Sequence, residues 1–319
     1  MERDGAAARE TSQAAAKAVI GSRRRAGAAD AIRMHTRTKL GVLGLVAAGA
    51  MALGPAAASA APGAVDLPAQ ASTRLVSEYL DELGQGVTSL GDVNGDGVDD
   101  IAVFSWGGAI DPDPDAAHGG VWVLYGSRMP KVIDLGDPAS VGDRGFYIRG
   151  AHPTAFAGRF GFGAAGDANG DGLADIAVVT SLQGVKAGRG YIDVVFGSRT
   201  AENVDLGALG DRGYRIEGAL INPRWLDWGR AETVGDFDGD GRDDLLVATP
   251  EADGNAGAVS VVYGAASTET VSLDALGSRG VVYRGAAASQ RLGRSVAPAG
   301  DVNADGRPDL LLGATGAAY

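Results

Sequence analysis

The sequence predicts an all-β fold, a β-propeller of about four short-stranded blades, and three observations carry that prediction. A segment of roughly 70 residues recurs along the chain, and such periods mark repeat architectures. Each copy holds short apolar runs bounded by Gly and Asx turns, the pattern of strands rather than helices. Finally, 51 Gly against only 7 Phe and 8 Tyr in 319 residues points to tight turns and close backbone approaches.

The repeat is anchored by four segments that align without gaps: Asp92–Asp100, Asp167–Asp175, Asp236–Asp244 and Asp301–Asp309, each preceded by Gly. Their first residues are 75, 69 and 65 positions apart. Apolar runs follow: Ile101–Phe104, Ile176–Val179, Leu245–Ala248 and Leu310–Leu312. A second strand reads Gly120–Gly126, Gly190–Gly197 and Gly257–Gly264. A third piece begins at Ile133-Asp-Leu135, Val204-Asp-Leu206 and Val271-Ser-Leu273 and ends at Gly145–Gly150, Gly213–Gly218 and Gly280–Gly285. With a short strand leading into each loop, every repeat offers about four strands, which reads as one propeller blade. A β-sandwich array would have to explain why the whole repeat recurs and not the loop alone.

The four loops share the pattern D-x-[ND]-x-D-G-x-x-D. Side chains at positions 1, 3, 5 and 9 can converge on one ion, position 7 offers its carbonyl, and Gly at position 6 permits the sharp turn. Hard oxygen donors suit Ca2+ rather than zinc or copper, so up to four calcium sites are expected. The candidate ligands are Asp92, Asn94, Asp96, Val98 and Asp100 in loop 1, and Asp167, Asn169, Asp171, Leu173 and Asp175 in loop 2. Loop 3 offers Asp236, Asp238, Asp240, Arg242 and Asp244, and loop 4 Asp301, Asn303, Asp305, Arg307 and Asp309. Val98, Leu173, Arg242 and Arg307 enter through their carbonyls. An EF-hand would need Glu at position 12 and flanking helices. That position holds Val103, Val178, Val247 or Leu312 inside apolar runs, so the EF-hand reading fails. A metal-free Asx turn could explain one such segment, but four in register crowd carboxylates that need a counter-charge.

The N-terminus differs in character. Residues 1–33 are rich in Ala and Arg and are expected to be a disordered upstream extension. From Met34, basic Arg37 and Lys39, the apolar run Leu40–Leu53 and Ala58-Ser59-Ala60 follow the plan of a secretory signal peptide over 34–60. A membrane anchor is the alternative, disfavoured by Pro55 and by a run short for a span of about 20 residues. The propeller then covers 61–319, with no membrane span after cleavage. The first 60 residues carry nine Lys and Arg and four Asp and Glu, so the remainder holds 19 basic and 36 acidic residues, a formal charge of −17. Such acidity argues against nucleic acid as a partner. Thirteen of those 36 acids are the loop aspartates, so four calcium ions would offset much of it. With no Cys, neither disulfides nor thiolate metal sites are available.

Residues Leu292–Ala314, with the calcium-type loop set between Gly-framed strands, closely resemble an FG-GAP repeat, as found in the propeller of integrin alpha chains. Phe160-Gly161 ahead of Ala164-Ala165-Gly166-Asp167 gives the FG element, and Trp228-Gly229 and Leu83-Gly84 are looser forms. The resemblance covers roughly 65–319 and implies a seven-bladed propeller with calcium in several blades, whose opposite face binds ligands. The GAP element is degraded at Phe104-Ser105-Trp106 and Val179-Thr180-Ser181. Seven repeats at this spacing would need about 480 residues, so a C-terminally incomplete propeller is expected.

No G-x-S-x-G elbow and no H-E-x-x-H helix occurs in the sequence. His118 lies in the insertion Gly107–Gly119 beside Asp111, Asp113 and Asp115, expected to be a solvated loop, and His152 is expected at a surface turn. Trp122 is expected in the core, while Trp225 and Trp228 lie between strands, where packing between blades is favoured over a binding platform. The reading is a secreted, calcium-binding module for an extracellular protein or carbohydrate ligand. The alternative is the substrate-binding or regulatory propeller of a secreted hydrolase, such as a phospholipase-like enzyme.

Overall fold

A computed structural model of the chain describes residues 41–45, 73–77, 83–105, 118–126, 132–152, 157–159, 161–181, 190–218, 231–315 and 317–318. They are nearly all β. Helix among them is confined to single turns such as Pro138–Val141 and the 3-10 turns at Leu206–Ala208 and Leu273–Ala275, and none is long and apolar enough to cross a membrane.

The strands in chain order are β1 (Gly41–Leu45), β2 (Thr73–Ser77), β3 (Val87–Gly91), β4 (Asp100–Ser105), β5 (Gly120–Leu124), β6 (Val132–Asp134), β7 (Gly145–Arg149), β8 (Phe162–Gly166), β9 (Asp175–Ser181) and β10 (Gly190–Val195). Then come β11 (Val204–Asp205), β12 (Gly213–Gly218), β13 (Ala231–Gly235), β14 (Asp244–Thr249), β15 (Ala258–Val262), β16 (Val271–Ser272), β17 (Gly280–Arg284), β18 (Ser295–Gly300), β19 (Asp309–Ala314) and β20 (Ala317–Ala318). Three antiparallel blades follow one another: β3-β4-β5-β7, β8-β9-β10-β12 and β13-β14-β15-β17. A fourth begins with β18-β19-β20.

Each blade opens identically. The first strand pairs with the second across the Asp-rich loop, and a β-bulge falls just before it, between Ser89 and Gly91, Ala164 and Gly166, Thr233 and Gly235, and Pro298 and Gly300. The residue at the bulge adopts φ of +86°, +69°, +77° and +67° in the four copies, a region in which only Gly is at ease. That is the physical content of the Gly preceding every loop.

The outer edge departs from the sequence-based expectation of one sheet per repeat. The Ile133-Asp-Leu135 piece and its equivalents do not join the blade of their own repeat. Although they fall in the middle of a repeat, before its last strand, they add in parallel to the outer strand of the preceding blade: β6 to β2, β11 to β7 and β16 to β12. At the middle junction, Asn203 Oδ1 accepts the Tyr147 N–H at 2.8 Å and Asp205 pairs with Arg149 at 3.1 Å. A two-residue strand cannot hold itself there by ladder bonds alone. Val204 and Leu206, 4% and 1% exposed, anchor it in the core below.

The core lies between blades rather than within one. One cluster joins Val121, Val123, Phe146 and Ile148 of the first blade to Ile176, Val178 and Val195 of the second. Another joins Ile192, Val194, Tyr214 and Ile216 to Leu245, Val247 and Val262 of the third. A further one joins Leu246, Val259 and Val261 to Leu312. Each blade is therefore apolar on both faces, which explains the uninterrupted apolar runs.

One pair of positions on the face toward the preceding blade changes in kind from copy to copy. In the first blade it is Trp122 packed against Tyr147, centroids 5.1 Å apart and rings tilted by 50°. Trp122 is fully buried, as the sequence predicts. In the second it is Asp193 and Arg215, bonded twice at 2.7 and 3.2 Å, with the guanidinium also donating to Leu206 O at 2.8 Å and lying 3.8 Å from the Tyr191 ring centre. In the third it is Ser260 and Val282, too small to fill the space, and a cavity of about 140 Å³ opens there, lined also by Thr249, Leu273, Asp274 and Arg284.

Within the run Leu40–Leu53, Gly41–Leu45 forms β1, antiparallel to β2, and one further expectation changes, at His118. β2 otherwise presents an edge of unpaired amides, and an apolar segment satisfies it. His118 is 5% exposed, with Nε2 3.4 Å from Arg149 Nη2, so the insertion ends in a packed segment and not in a solvated one. His152 is exposed, as anticipated. Trp106, Asp111, Asp113, Asp115, Trp225 and Trp228 lie outside the described residues, as do residues 1–40.

Candidate metal centre

The four loops close on one plan. The first aspartate is the hub: Asp92 Oδ1 accepts from the amides of Gly95 and Asp96 at 2.7 and 3.1 Å, and Oδ2 from Gly97 at 2.8 Å. Asp167 repeats this with Gly170, Asp171 and Gly172, and Asp236 with Gly239, Asp240 and Gly241. In the fourth loop, Asp301 accepts from Asp305 and Gly306. The position-3 side chain accepts the position-5 amide through Asn94, Asn169, Asp238 and Asn303. The position-5 carboxylate in turn accepts the amide of Val98, Leu173, Arg242 or Arg307, each at 2.9 Å. Position 6 is Gly with φ between +85° and +90° in every loop, the turn residue the motif calls for.

The ninth residue does more than the sequence foretold. Asp100, Asp175 and Asp244 are fully buried. One oxygen of each accepts an amide at the loop's start: Val93, Asn169, or Phe237 and Asp238. The other accepts, at 2.8 Å, the amide of the Gly ending the third strand, Gly126, Gly197 or Gly264. A side chain on those glycines would strike the position-8 carbonyl at 2.1, 2.6 or 2.5 Å. These glycines frame the second strand expected from the sequence, and their fastening of the loop is an addition that the structure makes. Their fixed place after an aromatic residue was the available signal. In the fourth loop, among the described residues, Asp309 keeps only the loop-side bonds, to Val302 N and Asn303 Nδ2.

Electrostatics agree with a cation site. Burial pushes the carboxyls of Asp100, Asp175 and Asp244 up, to about 6, 7 and 6. The amide bonds pull the other way, and neighbouring carboxylates such as Asp96 and Asp92, or Asp171 and Asp167, add to the rise. In the third loop, where position 3 is also Asp, oxygens of Asp236, Asp238 and Asp244 lie within 4.8 Å of one another. Asp240 stands apart from that group, paired with Arg242 at 2.7 Å. A carboxylate has about four acceptor sites, so Asp236, which spends three, retains capacity for a metal. The oxygen-only donor set fits a hard divalent cation.

Comparison with known proteins meets this geometry at its centre. The family model for the FG-GAP repeat matches residues 228–262 and 292–319, two segments that each enclose a loop and its flanking strands. The chain carries FG-GAP repeats. It is also 28% identical over 260 residues to integrin alpha pat-2 of Caenorhabditis briggsae, across 74% of this chain and 18% of that protein. The chain thus spans under a fifth of that relative's length. The matched segments hold the third and fourth loops, and the first two loops share their hydrogen-bond plan.

Proposed function

We propose that this FG-GAP chain is a secreted, extracellular binding module whose blades are fastened by calcium. The observation that carries the reading is the shared loop plan, a carboxylate hub with further oxygen donors at positions 3, 5 and 9, set where successive strands must be held together. Asp236, Asp238 and Asp244, with Asp240 and the Arg242 carbonyl, would hold Ca2+ in the third loop. Asp92, Asn94, Asp96, Asp100 and the Val98 carbonyl are their counterparts in the first, and the equivalent residues serve in the second and fourth. The ion would supply positive charge among carboxylates that otherwise repel. It binds the folded chain alone, so it stabilises in proportion to RT ln(1 + [Ca2+]/Kd). The leader-like pattern at 34–60 supports export, and the likeness to an integrin alpha chain supports an extracellular protein or carbohydrate as the ligand.

The test is calorimetry on the full chain in 1 mM Ca2+ and in excess EDTA, with the same two buffers used on an array of glycans and extracellular matrix proteins. Saturating one site at 100-fold over its Kd is worth about 2.7 kcal/mol, which moves Tm by roughly 4 °C in a chain of this size. The expected outcome is a lower Tm in EDTA, restored by Ca2+, together with binding that the chelator abolishes. An unchanged Tm would refute the calcium fastening, and an array silent in both buffers would refute the binding module.

A further inference from the structure

The loops touch one another through their eighth residues, which no metal-ligand pattern includes. Ala174 N donates to Asp92 O at 2.9 Å, and Asp243 N to Asp167 O at 3.0 Å. In each case position 8 of one blade grips position 1, the hub, of the blade before it. The junction between the second and third loops has two more bonds. Asp243 Oδ2 accepts the Asp167 N–H at 2.8 Å, and Arg242 Nε donates to Asn169 O at 3.3 Å while Nη1 reaches Asp240 at 2.7 Å. A Cβ on Gly166 would lie 2.1 Å from Asp243 Oδ2, so the bulge glycine is what admits the carboxylate. Pro308 holds the same position in the fourth loop and has no N–H to give. The series therefore runs from backbone alone, to backbone plus carboxylate and guanidinium, to a junction that lacks the backbone bond.

We propose that Asp243 is an inter-blade positioning residue that couples the second and third metal loops, so that a cation in the third strengthens binding in the second. Asp243 clamps both backbone groups of the hub Asp167, and its neighbours Arg242 and Asp244 belong to the third loop's own ligand set. Ordering the third loop fixes Asp243, and Asp243 fixes the hub of the second. Linkage makes the effect reciprocal, and couplings of this kind amount to about 5-fold or more in affinity. The inference rests on the calcium reading above and goes beyond it by stating which loops act together.

The experiment is a calcium titration of the full chain followed by amide NMR. Gly97, Gly172 and Gly241, the position-6 glycines, report the first three loops separately. In Asp243→Ala the Gly172 midpoint should rise about 5-fold or more while the Gly97 midpoint stays put. Asp243→Asn, which keeps an oxygen for the Asp167 amide, should restore most of the difference. Should Asp243→Ala not fold, Asp240→Ala in the otherwise native chain provides the second arm. It disables the third loop and should raise the Gly172 midpoint through the same link. An unmoved Gly172 midpoint, or an equal rise at Gly97, would overturn the coupling. Glycines that ignore calcium in the native chain would instead overturn the calcium reading, and the coupling with it.

Discussion

Ala304 occupies position 4 of the fourth loop, where the other three loops have Gly95, Gly170 and Gly239, and it holds φ of +62°. A left-handed conformation costs a residue with a Cβ about 1–2 kcal/mol. Ala304→Gly should therefore raise the stability of that loop by about 1 kcal/mol, read as an increase in the urea midpoint with no change of slope. Nothing lies within 4 Å of a Cβ at Gly239, where conformation alone sets the preference for Gly, whereas a Cβ at Gly95 or Gly170 would also meet Arg199 at 2.5 Å or Arg242 at 3.2 Å. At this scale the sequence was most legible. The hub, the acceptors at positions 3 and 5 and the turn glycine all follow from chemistry confined to nine consecutive residues. The second role of Asp100, Asp175 and Asp244 was hidden because their partners lie 26, 22 and 20 residues away.

Among the elements, the second blade is exceptional in setting a buried ion pair where the first has two aromatic rings. Asp193 is 0% exposed; burial pushes its carboxyl up to about 6, against the pull of Arg215. Removing one partner leaves an uncompensated buried charge, at a cost of about 3–5 kcal/mol, whereas replacing both with apolar groups of similar volume is often neutral. Asp193→Ala should lose that much in chemical denaturation, and the double variant Asp193→Leu/Arg215→Met should recover most of it. A double variant no better than the single one would show that the pair also specifies how the blades dock. The strands themselves could be read from their Gly-framed apolar runs. The parallel attachment of β6, β11 and β16 could not, because two or three residues carry no periodicity and their partners are chosen by the apolar floor beneath them.

For the molecule as a whole, stability should be graded along the chain. The second blade is covered on both faces by its neighbours. Among the described residues the fourth has a neighbour on one face only: Val302 and Leu311 are 74% and 53% exposed, and Val93, which matches Val302 in the first loop, is fully buried. Repeat arrays open from their weakest interface. Amide exchange should accordingly be slowest in β9 and β10 and fastest in β18 and β19, and uniform protection across the blades would contradict this. The parallel outer strands add a consequence for synthesis. β7 is complete at Arg149, yet the segment that seals its edge, Val204–Asp205, leaves the ribosome more than fifty residues later. At about 5–20 residues per second that is a delay of several seconds. A nascent blade therefore waits with an open edge until its successor delivers the closing strand, and a stop codon in one repeat damages the blade already made before it.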